Sequence, residues 1–141
     1  MIESARRLSS LGIDLLKAEF PGDPHYETDE GRMRANCRAL TMSSPVPWAI
    51  FSAGEAFSLV ERMVQTACQE GASGFMVGRA IWQEGMTLSE AAERDGFLAT
   101  TAASRLRKLS AIATAHARPW TWRFGLRHAG EGQAAGVEAA S

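Results

Sequence analysis

The chain has 141 residues, of which 45% are hydrophobic and 22% are charged, and its formal net charge is -1. This length allows one domain with a core, and a charge so near zero gives no electrostatic reason to expect binding to nucleic acid or to a membrane. No apolar stretch is long enough to span a bilayer and the N-terminus lacks the apolar block of a signal peptide, so we expect a cytoplasmic protein.

Short apolar runs alternate with amphipathic segments along the chain. The apolar runs predict strands at 13–20, 48–51 and 74–77, and the spacing of apolar residues predicts helices at 4–11, 28–40, 55–70, 80–84, from about 87, and at 98–117. This alternation is typical of βαβ units with a parallel sheet that is buried on both faces. We therefore expect an α/β domain over residues 1–125, and a disordered tail over the Gly/Ala-rich residues 126–141.

Several side chains of these helices receive structural interpretations. Thr28 is predicted to cap the second helix, and Thr87 with Glu90 to form a capping box at the start of a later one. Cys37 and Cys68 lack metal-type spacing and are interpreted as reduced packing residues. Three basic residues are predicted to form an exposed helix face: Arg105, Arg107 and Lys108. Three aromatic residues are predicted to pack the C-terminal segment onto the domain: Trp120, Trp122 and Phe124.

Lys17 lies near the end of the first predicted strand, where an ammonium group needs a reason to be buried. One interpretation is an ion pair with Glu19, which a period of two places on the same side of the strand. The other is a nucleophilic amine, because desolvation favours the uncharged form that attacks carbonyl groups. The lysine alone favours the ion pair.

Glycine and polar residues follow the other two predicted strands. Ser52 and Gly54 end the second, and Gly78 and Arg79 end the third. In parallel α/β folds these strand ends meet at one mouth, where glycine backbone N–H groups and an arginine fork suit an anion. Each turn alone is more simply read as a plain strand-to-helix connection, but two on consecutive strands are more specific. His25 and the other histidines lack metal-ligand spacing, so we expect neither a metal nor a cofactor.

Three blocks taken together resemble a known family. Residues 14–21 (DLLKAEFP), 47–54 (PWAIFSAG) and 71–82 (GASGFMVGRAIW) are similar, in order and spacing, to the class I aldolases of tagatose 1,6-bisphosphate and sulfofructose 1-phosphate. The resemblance implies strands six to eight of a (β/α)8 TIM barrel. It also implies that Lys17 is the Schiff-base lysine, and that Ser52, Gly54, Gly78 and Arg79 bind the phosphate or sulfonate of the sugar.

The resemblance also implies an incomplete barrel. No counterpart of strands one to five, or of the family's acid/base glutamate on strand five, stands in the sequence, and Glu19 beside the lysine is a poor substitute. We expect carbon–carbon cleavage of a phosphorylated ketose, in a homo-oligomer or with a separate N-terminal half of the barrel. The alternatives are a non-catalytic fragment that binds phosphosugars or a partner, and a truncated inactive product.

Overall fold

A computed structural model describes residues 1–125; the predicted disordered tail lies outside them. The first elements in chain order are α1 (Ile2–Ser9), β1 (Leu16–Ala18), α2 (Glu30–Ser43), β2 (Trp48–Phe51), α3 (Phe57–Gln69) and β3 (Gly74–Met76). The elements that follow are helical: α4 (Arg79–Trp82), a 3-10 turn (Gln83–Thr87), α5 (Ala91–Phe97), a π-helical turn (Leu98–Ala102), α6 (Ala103–His116) and a last 3-10 turn (Trp120–Phe124). No helix in residues 1–125 is long and apolar enough to cross a membrane.

The three strands form one parallel sheet in the order β1-β2-β3, which confirms the predicted α/β fold. Lys17 of β1 lies opposite Ala49 of β2, which in turn lies opposite Gly74 of β3. Crossovers between parallel strands are right-handed, so this sequential order places α2 and α3 on the same face of the sheet. Three consecutive β/α units of a barrel have the same arrangement.

The prediction that both faces of the sheet are buried is wrong for residues 1–125. Leu16 and Ala18 are buried beneath the helices, whereas Leu15 and Lys17, which point to the opposite face, are exposed. Met76 of β3 is exposed on that face as well. The physical reason is that α2 and α3 cover one face, and no described element covers the other.

The core lies between the sheet and the helices α2 and α3. Most apolar residues whose spacing predicts these two helices are buried here, with Phe57 only half-buried, and Trp48 and Ile50 of β2 pack against them. The buried residues of the two helices are Met33, Cys37, Leu40, Val60, Met63, Val64, Ala67 and Cys68. Both cysteines are free and buried, as predicted.

Local details differ from the sequence predictions at three points. The first strand covers only Leu16–Ala18 of the predicted 13–20. Asp29, not Thr28, caps α2, because its Oδ1 accepts hydrogen bonds from the backbone N–H groups of the first turn. The predicted capping box is absent: Glu90 precedes α5 without a side-chain cap, and the Thr87 hydroxyl donates to the carbonyl of Glu84 instead.

The C-terminal aromatic residues pack onto the domain only in part. Trp120 and Phe124 stay exposed and contact each other edge-on, with 6.0 Å between ring centres. Trp122 is half-buried, and the guanidinium of Arg118 lies 3.8 Å from its ring centre. Arg123 connects this segment to the domain, because its guanidinium donates a hydrogen bond to the carbonyl of Pro45.

Candidate active site

Lys17 is exposed on the uncovered face of the sheet, which corrects the expectation of a buried lysine. Its Nζ lies 4.6 Å from the centre of the Phe51 ring, a cation–π distance. No ion pair joins it to Glu19 or to any other carboxylate in residues 1–125, so the ion-pair interpretation lacks its contact; because Lys17 is exposed, the desolvation on which the nucleophile interpretation rested is missing as well. The amine is free to meet a ligand.

A cleft of about 360 Å3 opens beside Lys17. Lys17, Glu19 and Phe51 form its sheet side, and the side of α1 that carries Ser4 and Leu8 forms its other wall. The predicted placement of Glu19 and Lys17 on one side of the strand is thus compatible with this cleft, which both of them line. A small carbonyl compound in the cleft would have access to the amine.

The turns after β2 and β3 meet through Gly54 and Arg79. Gly54 has φ +92°, and a Cβ placed on it would lie 2.6 Å from Nη2 of Arg79, so the guanidinium packs directly against this glycine and would have to shift if a side chain were added. Ala53 beside it has φ +49°, a left-handed conformation that is costly for a residue with a side chain. The backbone of this turn is therefore held in an unusual shape against an arginine.

The guanidinium of Arg79 is available to an anion. It is exposed and forms no ion pair with a carboxylate anywhere in the described part of the chain. A cleft of about 340 Å3 lies next to it, lined by Gly54, Gln83 and Glu84 among others. Ser52 is buried at the start of the turn, where its carbonyl accepts a hydrogen bond of 2.9 Å from the N–H of Glu55.

The predicted site residues thus lie at three adjacent positions along one sheet. Lys17 is on β1, the Ser52 and Gly54 turn follows β2, and the Gly78 and Arg79 turn follows β3. Neighbouring strands are about 4.8 Å apart, so the two turns lie roughly one and two strand spacings from the lysine strand. Gly78 precedes α4, and its carbonyl accepts a hydrogen bond from the N–H of Ile81.

The structure also pairs two residues that the sequence left apart. Nε2 of His25 lies 2.8 Å from Oε2 of Glu55, although thirty residues separate them in the chain. They line a cleft of about 230 Å3, and Glu19 lines both this cleft and the one beside Lys17. An imidazole oriented by a carboxylate is able to take up and release a proton. In the sequence His25 showed only a lack of metal-ligand spacing, and no sequence signal pointed to Glu55.

Residues 1–84 match the family model described as DeoC/LacD family aldolase, which is more than half of the chain. The chain belongs to the DeoC/LacD aldolase family. Membership supports carbon–carbon lyase activity at the level of the family.

The part of the chain that matches the DeoC/LacD aldolases contains all the predicted site residues. It runs from the first residue through Lys17 and both glycine turns and ends at Glu84. Helices α5 and α6 lie beyond the match. Within residues 1–125, no three His, Cys, Asp or Glu side chains are grouped so as to hold a metal ion.

Proposed function

We propose that this DeoC/LacD-family chain carries the Schiff-base part of a class I aldolase site. Lys17 would attack the carbonyl of a phosphorylated ketose, with strands β1 to β3 standing as strands six to eight of a TIM barrel. One observation carries the proposal: within residues 1–125 the Lys17 amine has no ion-pair partner and is accessible, on the same sheet whose next two strand ends bring Gly54 and Arg79 together.

The chemistry follows from an uncharged amine and a ketone. Addition of Nζ to the carbonyl gives a carbinolamine, which loses water to form an iminium ion. When a base removes the proton of the hydroxyl two carbons away, the carbon–carbon bond breaks and its electrons move into the iminium as an enamine. An aldehyde leaves, and protonation and hydrolysis of the enamine then release a three-carbon ketone phosphate and the free lysine.

The turns after β2 and β3, here called the anion turns, would bind the phosphate or sulfonate group of the sugar, which takes no part in the carbon–carbon cleavage. Gly54 exposes the backbone of the turn, and Arg79 offers a planar fork of donors that suits a phosphate or a sulfonate. The resemblance of the three sequence blocks points to tagatose 1,6-bisphosphate or sulfofructose 1-phosphate as substrate. The two free cysteines are compatible with a reducing compartment such as the cytoplasm.

The test is to trap the Schiff base, and the chain makes the assignment simple because it has only two lysines, Lys17 and Lys108. The protein is incubated with dihydroxyacetone phosphate, reduced with borohydride and analysed by mass spectrometry. We expect one adduct, located on Lys17 by peptide mapping. Lys17→Arg keeps the positive charge, but a guanidinium does not form a Schiff base with the ketone, so the adduct should disappear.

Lys108→Arg is the matched control, because Lys108 is exposed on α6 and its ion pair with Glu61, at 2.8 Å, is retained by arginine. This variant should give the wild-type adduct. A wild-type chain without any adduct, or an adduct that survives Lys17→Arg, would contradict the Schiff-base role of Lys17.

A non-catalytic role in binding phosphosugars is the second candidate. The observation in its favour is that the contact between Gly54 and Arg79 is formed within residues 1–125, whereas one face of the sheet is open. Under this alternative the same trapping experiment gives no adduct, but the chain still binds sugar phosphate. Completion of the site by a second copy, or by a separate N-terminal half of a barrel, belongs to the first candidate.

A further inference from the structure

Arg105 on α6 is the basic residue whose surroundings differ most from the sequence prediction. It was expected on an exposed helix face, yet only 18% of its side chain is exposed. Arg107, two residues later, is exposed as predicted. Both residues lie beyond the match to the aldolase family, which ends at Glu84.

The guanidinium of Arg105 binds the segment that follows Arg79. Its Nη1 donates to the carbonyl oxygens of Ala80 and Ile81 at 3.2 and 3.3 Å. These carbonyls belong to the single-turn helix α4, where no full set of intrahelical partners exists. The same nitrogen forms an ion pair with Glu84 in the turn that follows. Arg105 thus contacts two backbone carbonyl groups of α4 and the carboxylate of Glu84, all in the segment that follows Arg79.

The same guanidinium also lies near two aromatic rings. Its Cζ lies 5.0 Å from the ring centre of Phe57 and 5.7 Å from that of Phe97. Phe57 is the first residue of α3 and follows Gly54 by three positions. Arg105 is therefore in contact with the segments that follow both anion turns, one through hydrogen bonds and the other through a cation–π contact.

We propose that Arg105 is a positioning residue for the anion site, which holds the Gly78 and Arg79 turn against the Gly54 turn. Arg79 is exposed and has no ion pair within residues 1–125, so the position of its guanidinium depends on the backbone of α4. Arg105 contacts that backbone through Nη1 while its delocalised guanidinium lies near the rings of Phe57 and Phe97, a combination that a compact lysine ammonium does not reproduce. That the anion is the phosphate of a ketose rests on the proposed function; the binding of an anion does not.

The first test measures binding of inorganic phosphate by titration calorimetry to wild type, Arg105→Ala, Arg105→Lys and the control Arg107→Ala. We expect Arg105→Ala to bind about tenfold more weakly, as when a charge-assisted contact is misplaced, and Arg105→Lys to lie between it and wild type. Arg107→Ala should bind like wild type. If Arg105→Ala fails to unfold cooperatively, Arg105→Lys decides the question, because it keeps the charge and the stem.

The second test separates positioning from a general loss of structure. Lys17 is trapped with borohydride in the presence of dihydroxyacetone or of its phosphate, and the two rates are compared. Arg105→Ala should lose the preference for the phosphorylated ketone while the rate with dihydroxyacetone is kept. Equal loss with both ketones, phosphate binding at wild-type strength in both Arg105 variants, or no phosphate binding by wild type would overturn the proposal.

The two proposals fail in different ways. If wild type binds phosphate, Arg105→Ala weakens that binding and neither ketone gives an adduct, the Schiff-base function is contradicted and Arg105 remains a positioning residue. An adduct on Lys17 that is independent of the phosphate group, in wild type and Arg105→Ala alike, contradicts the role of Arg105 and leaves the Schiff base.

Discussion

Gly54 has two separate reasons to be glycine. Its φ of +92° lies in the left-handed half of the backbone map, and a Cβ there would approach the Arg79 guanidinium to 2.6 Å. The first reason concerns the cost of the conformation, and the second concerns the place of a charged group. A substitution at Gly54 therefore acts on stability and on the anion site together.

We expect Gly54→Ala to weaken binding of inorganic phosphate by about tenfold, because the added methyl group displaces the guanidinium of Arg79. Strain in the turn should also lower the free energy of unfolding by about 1 kcal/mol. Phosphate titration and urea unfolding measure the two effects.

Gly96→Ala is the matched control for Gly54→Ala. Gly96 lies within α5, and nothing stands within 4 Å of its added Cβ. This variant should bind phosphate like wild type and should be more stable by up to about 1 kcal/mol, since alanine favours the helix. Phosphate affinity that is unchanged in Gly54→Ala would show that the contact between Gly54 and Arg79 does not shape the anion site.

At the scale of elements, the contact between α2 and α3 combines apolar packing with a buried carboxylate. The side chain of Glu70, at the end of α3, is 5% exposed and receives Arg38 of α2 at 2.9 Å. Arg34 of α2 reaches Oε1 at 2.8 Å, as an ion pair without hydrogen-bond alignment. The Thr41 hydroxyl donates to the carbonyl of Glu70 and accepts from the indole of Trp48, which connects both helices to β2.

The two thiols in this contact, Cys37 and Cys68, make the fold less stable at alkaline pH. Burial raises the pKa of Cys37 from 9.0 to about 12, with smaller contributions from the charges of Glu70 and Cys68. Burial likewise raises the pKa of Cys68 from 9.0 to about 11. The folded state thus keeps protons that the unfolded state loses above pH 9. Stability is complete below pH 9 and falls as the pH rises toward 11 to 12.

Above pH 9, we expect each of the two thiols to lower the free energy of unfolding by about 1.4 kcal/mol for every pH unit. Urea unfolding at pH 8, 9 and 10.5 measures this slope. The Cys37→Ala, Cys68→Ala double variant should be less stable at pH 8 but should show a flatter pH dependence. An equal slope in the double variant would assign the alkaline loss to other groups.

At the scale of the whole molecule, the sheet is open in two ways. Within residues 1–125 each outer strand, β1 and β3, pairs with a neighbour on one side only. The sheet face that carries Leu15 and Met76 is exposed as well. Unpaired strand edges and apolar surface favour association with another chain.

We therefore expect the purified chain to associate at micromolar concentration, and light scattering after gel filtration measures its mass. A lysine on an edge opposes pairing, so the variants Leu15→Lys and Met76→Lys should shift the distribution toward the monomer. Tyr26→Lys is the matched control, because Tyr26 is exposed in a loop away from the strands. A wild-type chain that is monomeric throughout would contradict association through the open sheet.

The sequence by itself determined the strand and helix order, the apolar stripes of α2 and α3, and the two glycine turns, because local periodicity and glycine placement carry these features. It did not determine which face of the sheet would be covered. A short apolar strand reads alike whether one face or both are buried, so Lys17 was predicted buried and is exposed.

Only the tertiary structure decided which distant groups meet. The contact between Gly54 and Arg79, the pair of His25 and Glu55, and the hydrogen bonds of the partly buried Arg105 to α4 join residues more than twenty positions apart. Such contacts depend on how helices pack across a sheet, and single-chain periodicity does not encode that packing.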